Sequence, residues 1–126
     1  MAQSEIILGG LPFGADIVVG EELEVGTFTI NGVTYSRYIK VVDFGALPNN
    51  TTEQKTKDFT YVGIINIGGW AYRTDTNSTF PLPHIGLDDS NNIIFANIWI
   101  QDDKITILDN FNLSSFYGYL VIEYYR

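Results

Sequence analysis

Thr27-Phe28-Thr29-Ile30-Asn31-Gly32-Val33-Thr34-Tyr35-Ser36 is the stretch that fixes the local fold. Asn-Gly supplies the two positive-φ residues that a two-residue type I′ turn requires. With that loop, Ile30 faces Val33 and Phe28 faces Tyr35, so these four share one face of a hairpin. Thr29 and Thr34 fall on the other. Turn chemistry and apolar alternation specify the same register, which predicts an antiparallel hairpin over 27–36.

Working outward, the same vocabulary recurs: short β-branched and aromatic runs bounded by Gly, Asn, Asp and Pro, with no capped window at helical spacing. Tyr38-Ile39-Lys40-Val41-Val42-Asp43-Phe44 continues the hairpin arm as a strand. Residues 45–52 read as a loop, because Pro48 and Asn49-Asn50 interrupt a ladder. Residues 53–58 read as polar and exposed. Residues 59–67 read as a strand that Gly68-Gly69 breaks before Trp70-Ala71-Tyr72-Arg73. A polar turn follows at 74–79, and Pro81 and Pro83 make 80–84 an edge strand or extended loop. Residues 93–100 turn at Gln101-Asp102-Asp103-Lys104 into 105–108, and residues 117–125 close the sequence as a strand.

Several strands are apolar on both faces: Ile94, Ile98 and Ile100 on one, Ile93, Phe95 and Trp99 on the other. A sheet with one wet face would alternate cleanly. The expected fold is therefore all-β, an antiparallel β-sandwich of jelly-roll type whose outer face is partly covered by other subunits, so a homo-oligomer is expected. Residues 1–25 differ in texture, punctuated by Gly9-Gly10, Pro12, Gly14 and Gly20. They read either as an N-terminal arm or attachment segment, or as an ordinary first strand of the domain at 26–126.

At 126 residues the chain has the size of one domain, and 45% hydrophobic residues with a mean hydropathy of +0.05 place it among globular chains. Eight Tyr, eight Phe and two Trp can fill a β core, and they also mark half-wet surfaces such as subunit interfaces and sugar-binding faces. Cysteine is absent, which removes disulfides and thiolate metal sites and suits folding in a reducing cytoplasm. No apolar run has the length of a membrane span, and Met1-Ala2-Gln3-Ser4-Glu5 has no secretory-signal pattern, so no membrane partner is expected. The net charge of −8 repels a phosphate backbone, and no basic stripe offsets it, so nucleic acid is not an expected partner either.

Catalytic constellations are not expected. The single histidine, His84, sits in Pro81-Leu82-Pro83-His84 with no nucleophile elbow near it. Zinc sites need more His and Cys than the chain has. The acids that could form a glycosidase pair, Asp88-Asp89, Asp102-Asp103 and Asp109, fall in turn contexts, where they read as turn formers. Asp88-Asp89-Ser90-Asn91-Asn92 is oxygen-rich but lacks the spacing of a calcium loop. No metal and no cofactor is expected. One aromatic feature suggests a ligand: Trp70 and Tyr72 share a face at period two, beside Arg73 and the polar turn that holds Asp75 and Asn77. Such a platform can stack on a sugar ring while the turn accepts its hydroxyls. Filling the core or a subunit interface is the more common task of two such rings.

The string Arg37-Tyr38-Ile39-Lys40-Val41-Val42-Asp43-Phe44-Gly45-Ala46-Leu47-Pro48-Asn49-Asn50-Thr51-Thr52 resembles a stretch that recurs in bacteriophage tail, fibre and baseplate proteins. There it follows a Val-Gly start and an Asn-Gly or Asp-Gly hairpin, as Val25-Gly26 and Asn31-Gly32 do here. A later Pro-Leu-Pro is matched by Pro81-Leu82-Pro83, and a closing Val-x-Ile-Glu-Tyr strand is echoed by Val121-Ile122-Glu123-Tyr124. The similarity spans residues 25–126, with 53–79 matching loosely and Phe28-Thr29-Ile30-Asn31-Gly32-Val33 standing where such proteins usually carry Trp-Ile-Asp-Gly-Lys-Pro. The resemblance implies a trimeric β-sandwich at the exposed end of a virion appendage, assembled in the bacterial host cytoplasm. Its partners would be other virion proteins, met through the N-terminal arm, and a host surface glycan. A purely structural decoration or head-fibre component without a ligand fits the same residues. No catalytic residue is carried over.

Overall fold

The computed structural model describes residues 5–7 and 16–126, with side chains from residue 18 onward. Among these the architecture is all-β, with no helix. The strands are β1 (Glu5–Ile7), β2 (Asp16–Val18), β3 (Glu22–Ile30), β4 (Val33–Ala46), β5 (Thr52–Thr56), β6 (Gly63–Arg73), β7 (Ser78–Leu82), β8 (His84–Leu87), β9 (Ile93–Gln101), β10 (Lys104–Asp109) and β11 (Tyr117–Tyr125). β1 and β2 pair with each other; one sheet runs β5-β10-β9-β8 and another β3-β4-β11-β6-β7. Every pair whose register is defined is antiparallel. No helix among the described residues is long and apolar enough to cross a membrane.

The chain divides into two compact units, one of Met1–Asp43, Phe59–Ile67 and Val121–Arg126, the other of Phe44–Asp58 and Gly68–Leu120. Strands β4, β6 and β11 each contribute residues to both.

In the first unit the predicted hairpin is present. Asn31 (φ 51°) and Gly32 (φ 77°) make the turn, Ile30 pairs with Val33 and Phe28 with Tyr35, and the Thr29 and Thr34 hydroxyls meet at 2.9 Å. Around Tyr124, which is fully buried, the Phe59 ring stacks at 4.5 Å and Tyr38 at 5.8 Å, beside buried Val41 and Ile122. The Tyr124 hydroxyl donates to Glu22, whose carboxylate also receives both terminal nitrogens of Arg126, at 2.7 and 2.6 Å. Arg126 in turn lies 4.4 Å over the Tyr38 ring. This clasp fastens the end of β11 to the start of β3. Of the proposed 1–25 arm, residues 1–4 and 8–15 lie outside the described residues. Gly20 donates to the Val41 carbonyl, and residues 22–25 belong to β3.

In the second unit, one face of the four-stranded sheet carries buried Ala96, Ile98, Ile105 and Ile107, and the core continues through Phe44, Leu47, Ala71, Leu82, Leu113 and Leu120. Two departures from the sequence reading have physical causes. Residues 52–56 form a fully exposed strand, although Thr52-Glu53-Gln54-Lys55-Thr56 has no apolar alternation. Pairing with β10 makes it a strand, and the Gln54 side chain reaches the Thr106 hydroxyl at 3.3 Å. Gly68-Gly69 does not break β6, which runs unbroken from Gly63 to Arg73. Glycine serves a close approach there: a Cβ on Gly69 would collide with the Tyr119 carbonyl and stand 2.9 Å from Leu120 Cα.

Candidate functional site

Strand pleat decides what Trp70 and Tyr72 can do. Across β7, Trp70 stands opposite Pro81 and Tyr72 opposite Thr79, so these four share one face of the sheet. Ala71 opposite Phe80 and Arg73 opposite Ser78 take the other. On the Trp70 face β11 adds Tyr119 and Tyr117. Trp70 meets Tyr119 at a centroid distance of 5.4 Å, Tyr119 lies parallel to Tyr72 at 5.9 Å, and Tyr72 meets Tyr117 at 6.1 Å. The result is a row of four rings. Tyr119 is buried between its neighbours, Trp70 and Tyr72 are half-buried, and Tyr117 is exposed. The rings pack on one another in tilted and parallel pairs, and Trp70, Tyr72 and Tyr117 keep a side open to solvent.

The polar residues expected beside the rings are placed differently. Arg73 projects to the opposite face, its guanidinium 6.0 Å over Phe116. It binds Asp75 through two hydrogen bonds, of 2.6 and 2.9 Å, which lower the pKa of the Asp75 carboxyl and raise that of Arg73. Both groups are thus already engaged. Asn77 takes φ 51° at the end of the β6–β7 turn, a conformation that Asn tolerates better than most residues. The structure therefore brings Trp70 and Tyr72 together, leaves Asp75 and Asn77 exposed in the turn, and sets Arg73 on the far side. Sequence reasoning missed Tyr117 and Tyr119. Their period-two spacing in Tyr117-Gly118-Tyr119 was visible, but that β11 lies beside β6 is a tertiary fact.

The other candidate groups have structural tasks. Asp88 Oδ1 accepts the backbone N–H of Ser90 and of Asn92, both at 2.9 Å, and these bonds hold its pKa below the usual carboxylate value. Asp102 (φ 54°) and Asp103 form the two-residue turn between β9 and β10. Asp109 is not in a turn: it closes β10, buried, with Oδ1 accepting the Thr51 N–H at 3.3 Å and Oδ2 without a partner. Burial pushes its pKa up, against the lowering effect of the Thr51 and Asn50 backbone N–H groups. His84 lies tilted against Phe80 at a centroid distance of 4.9 Å, and Phe116 meets Phe80 edge-on at 5.0 Å. Among the described residues no group of three or more His, Cys, Asp or Glu is gathered as a metal site would require. A pocket of about 310 Å³ opens beside His84, lined by Pro83, Ile85, Phe95, Ala96 and Asn97.

Compared with known proteins, the chain matches no family model, no curated protein and no solved structure.

Proposed function

We propose that this chain is a surface-presenting module of a bacteriophage virion appendage, a tail or fibre domain of β-sandwich type working as a homo-oligomer, and that its aromatic row binds a host cell-surface saccharide. The observation that carries the ligand is the Trp70–Tyr119–Tyr72–Tyr117 row, with one buried ring holding half-exposed neighbours in place. Pyranose rings present C–H faces that stack on such rings, and neighbouring hydroxyls find an amide in Asn77, exposed in the turn whose Asp75 is held by Arg73. The appendage reading rests on the resemblance over residues 25–126. The sandwich reading rests on the fully buried Ala96, Ile105 and Ile107, which need a covering layer on that face of the four-stranded sheet.

The experiment is binding of fluorescently labelled protein to bacterial cells, with purified surface polysaccharide as competitor. Tyr72→Ala and Tyr117→Ala are expected to lose binding while keeping the β-sheet circular dichroism of the parent. A second reading, a structural virion component without ligand, is favoured by the exposed apolar side chains Ile85, Leu87 and Ile93, which suit assembly contacts. It predicts that the same substitutions leave cell association unchanged.

A further inference from the structure

The four- and five-stranded sheets present four edges among the described residues, and three of them are blunted against pairing. Edge strand β3 carries Glu22 and Glu24 and a register shift at Glu24/Gly26. Edge strand β7 contains Pro81, and edge strand β5 is Thr52-Glu53-Gln54-Lys55-Thr56. Bulges, prolines and charges are the usual devices that keep an edge from recruiting another strand. The fourth edge, β8, has none of them along Ile85-Gly86-Leu87. Ile85 is 77% exposed and Leu87 62%, and Ile93, opposite Leu87 on β9, is 63% exposed.

The backbone at this edge has a defined direction. The Asp88 N–H donates to the Asn92 carbonyl, and ladder residues then alternate between facing β9 and facing away. His84 and Gly86 face β9, so the N–H and C=O groups of Ile85 and Leu87 point out of the sheet. We propose that this edge pairs with the β8 of a second copy of the chain, antiparallel about a twofold axis through Gly86.

One register satisfies every group. Centred on Gly86, Ile85 opposes the partner's Leu87 and Leu87 the partner's Ile85, forming hydrogen-bonded pairs with apolar contacts on one face. The same register sets His84 opposite the partner's Asp88 on the other face, twice by symmetry. Asp88 can accept that imidazole: Oδ1 holds two backbone N–H groups, whereas Oδ2 receives only the Asn92 side chain at 3.4 Å. Glycine at the axis leaves space for the imidazole, whose Nε2 lies 3.3 Å from where a Gly86 Cβ would be. Shifting the pairing by two residues either way sets Ile85 against the partner's Asp89 or Leu87 against the partner's Pro83. The pairing is thus specified by charge and apolar match together. It is a twofold contact, distinct from the trimer that the resemblance implies, and independent of saccharide binding.

The test is absolute mass by light scattering across a concentration series, followed by cysteine cross-linking in this cysteine-free chain. The parent is expected at twice the 14.1 kDa chain mass, and Ile85→Lys, a change at an exposed position, at the single-chain mass. Ile85 and the partner's Leu87 would have Cα atoms about 5.5 Å apart, within disulfide range, so a mixture of Ile85→Cys and Leu87→Cys chains forms a covalent dimer on oxidation with the space beside His84 untouched. Ile85→Cys alone, offset diagonally from its symmetry mate, does not. A parent that is monomeric at every concentration, a parent trimer, or a dimer that Ile85→Lys leaves intact would each overturn the proposal.

Discussion

Replacing Glu22 by alanine removes the acceptor at the centre of the clasp between β3 and β11. Tyr124 is fully buried, and its hydroxyl donates to the Glu22 carboxylate. Losing a hydrogen bond from a buried hydroxyl to a carboxylate costs about 1–3 kcal/mol. Arg126 is exposed, so water replaces its share and the cost rests on the tyrosine. About 2 kcal/mol, divided by the unfolding entropy expected for a chain of this length, lowers Tm by roughly 8 °C. The pH dependence follows from the same contacts. Burial alone would raise the Glu22 pKa, but the Tyr124 and Arg126 hydrogen bonds and the Arg126 and Lys40 charges outweigh it and hold it below its ordinary value. A carboxylate with a depressed folded-state pKa contributes stability that is present above its unfolded value and lost as pH falls through the folded one. Thermal unfolding followed by circular dichroism from neutral to acid pH reads both effects. Glu22→Ala should unfold earlier at pH 7, and its deficit should shrink in acid as the parent protonates. Tyr124→Phe, which removes donor and partner need together, should cost less. A Glu22→Ala Tm within about 2 °C of the parent at pH 7 would refute the reasoning.

Two further substitutions test the second unit. Asp109 has the opposite sign: its raised folded-state pKa means that its favourable contribution is present below the unfolded value and is lost as pH rises through the folded one. Asp109→Asn should therefore raise Tm at neutral pH, by about 1 kcal/mol or roughly 4 °C, and show no gain in acid; a lowered Tm at pH 7 counts against it. Gly69→Ala drives a methyl into the backbone of β11 and should cost about 3 kcal/mol, read as a Tm drop of roughly 10 °C; unchanged stability would mean that the strands do not approach so closely.

Where local chemistry determined structure, the sequence was readable. Asn31-Gly32 fixed both turn and register, and Gln101-Asp102-Asp103-Lys104 between two apolar runs marked a later hairpin. Both appear with the expected pairing. Where a neighbour decided, it was not. Residues 52–56 look like a polar loop and become a strand because β10 offers its edge. Gly68-Gly69 looks like a break, yet Gly69 is where β11 presses close. The candidate site divides in the same way. Period two placed Trp70 and Tyr72 on one face, whereas Tyr117 and Tyr119 join them only through strand order. Arg73 follows Tyr72 in sequence, and one residue further along a strand is the other face.

The most direct test of the saccharide reading is an array of purified bacterial surface polysaccharides probed with the parent and with Tyr72→Ala, Tyr117→Ala and Trp70→Ala, each first shown to be folded. The account predicts that the parent is retained by at least one polysaccharide and that each ring removed weakens retention about tenfold, the equivalent of roughly 1.4 kcal/mol of stacking. Retention by none of the polysaccharides, or retention that survives the loss of all three rings, would contradict it.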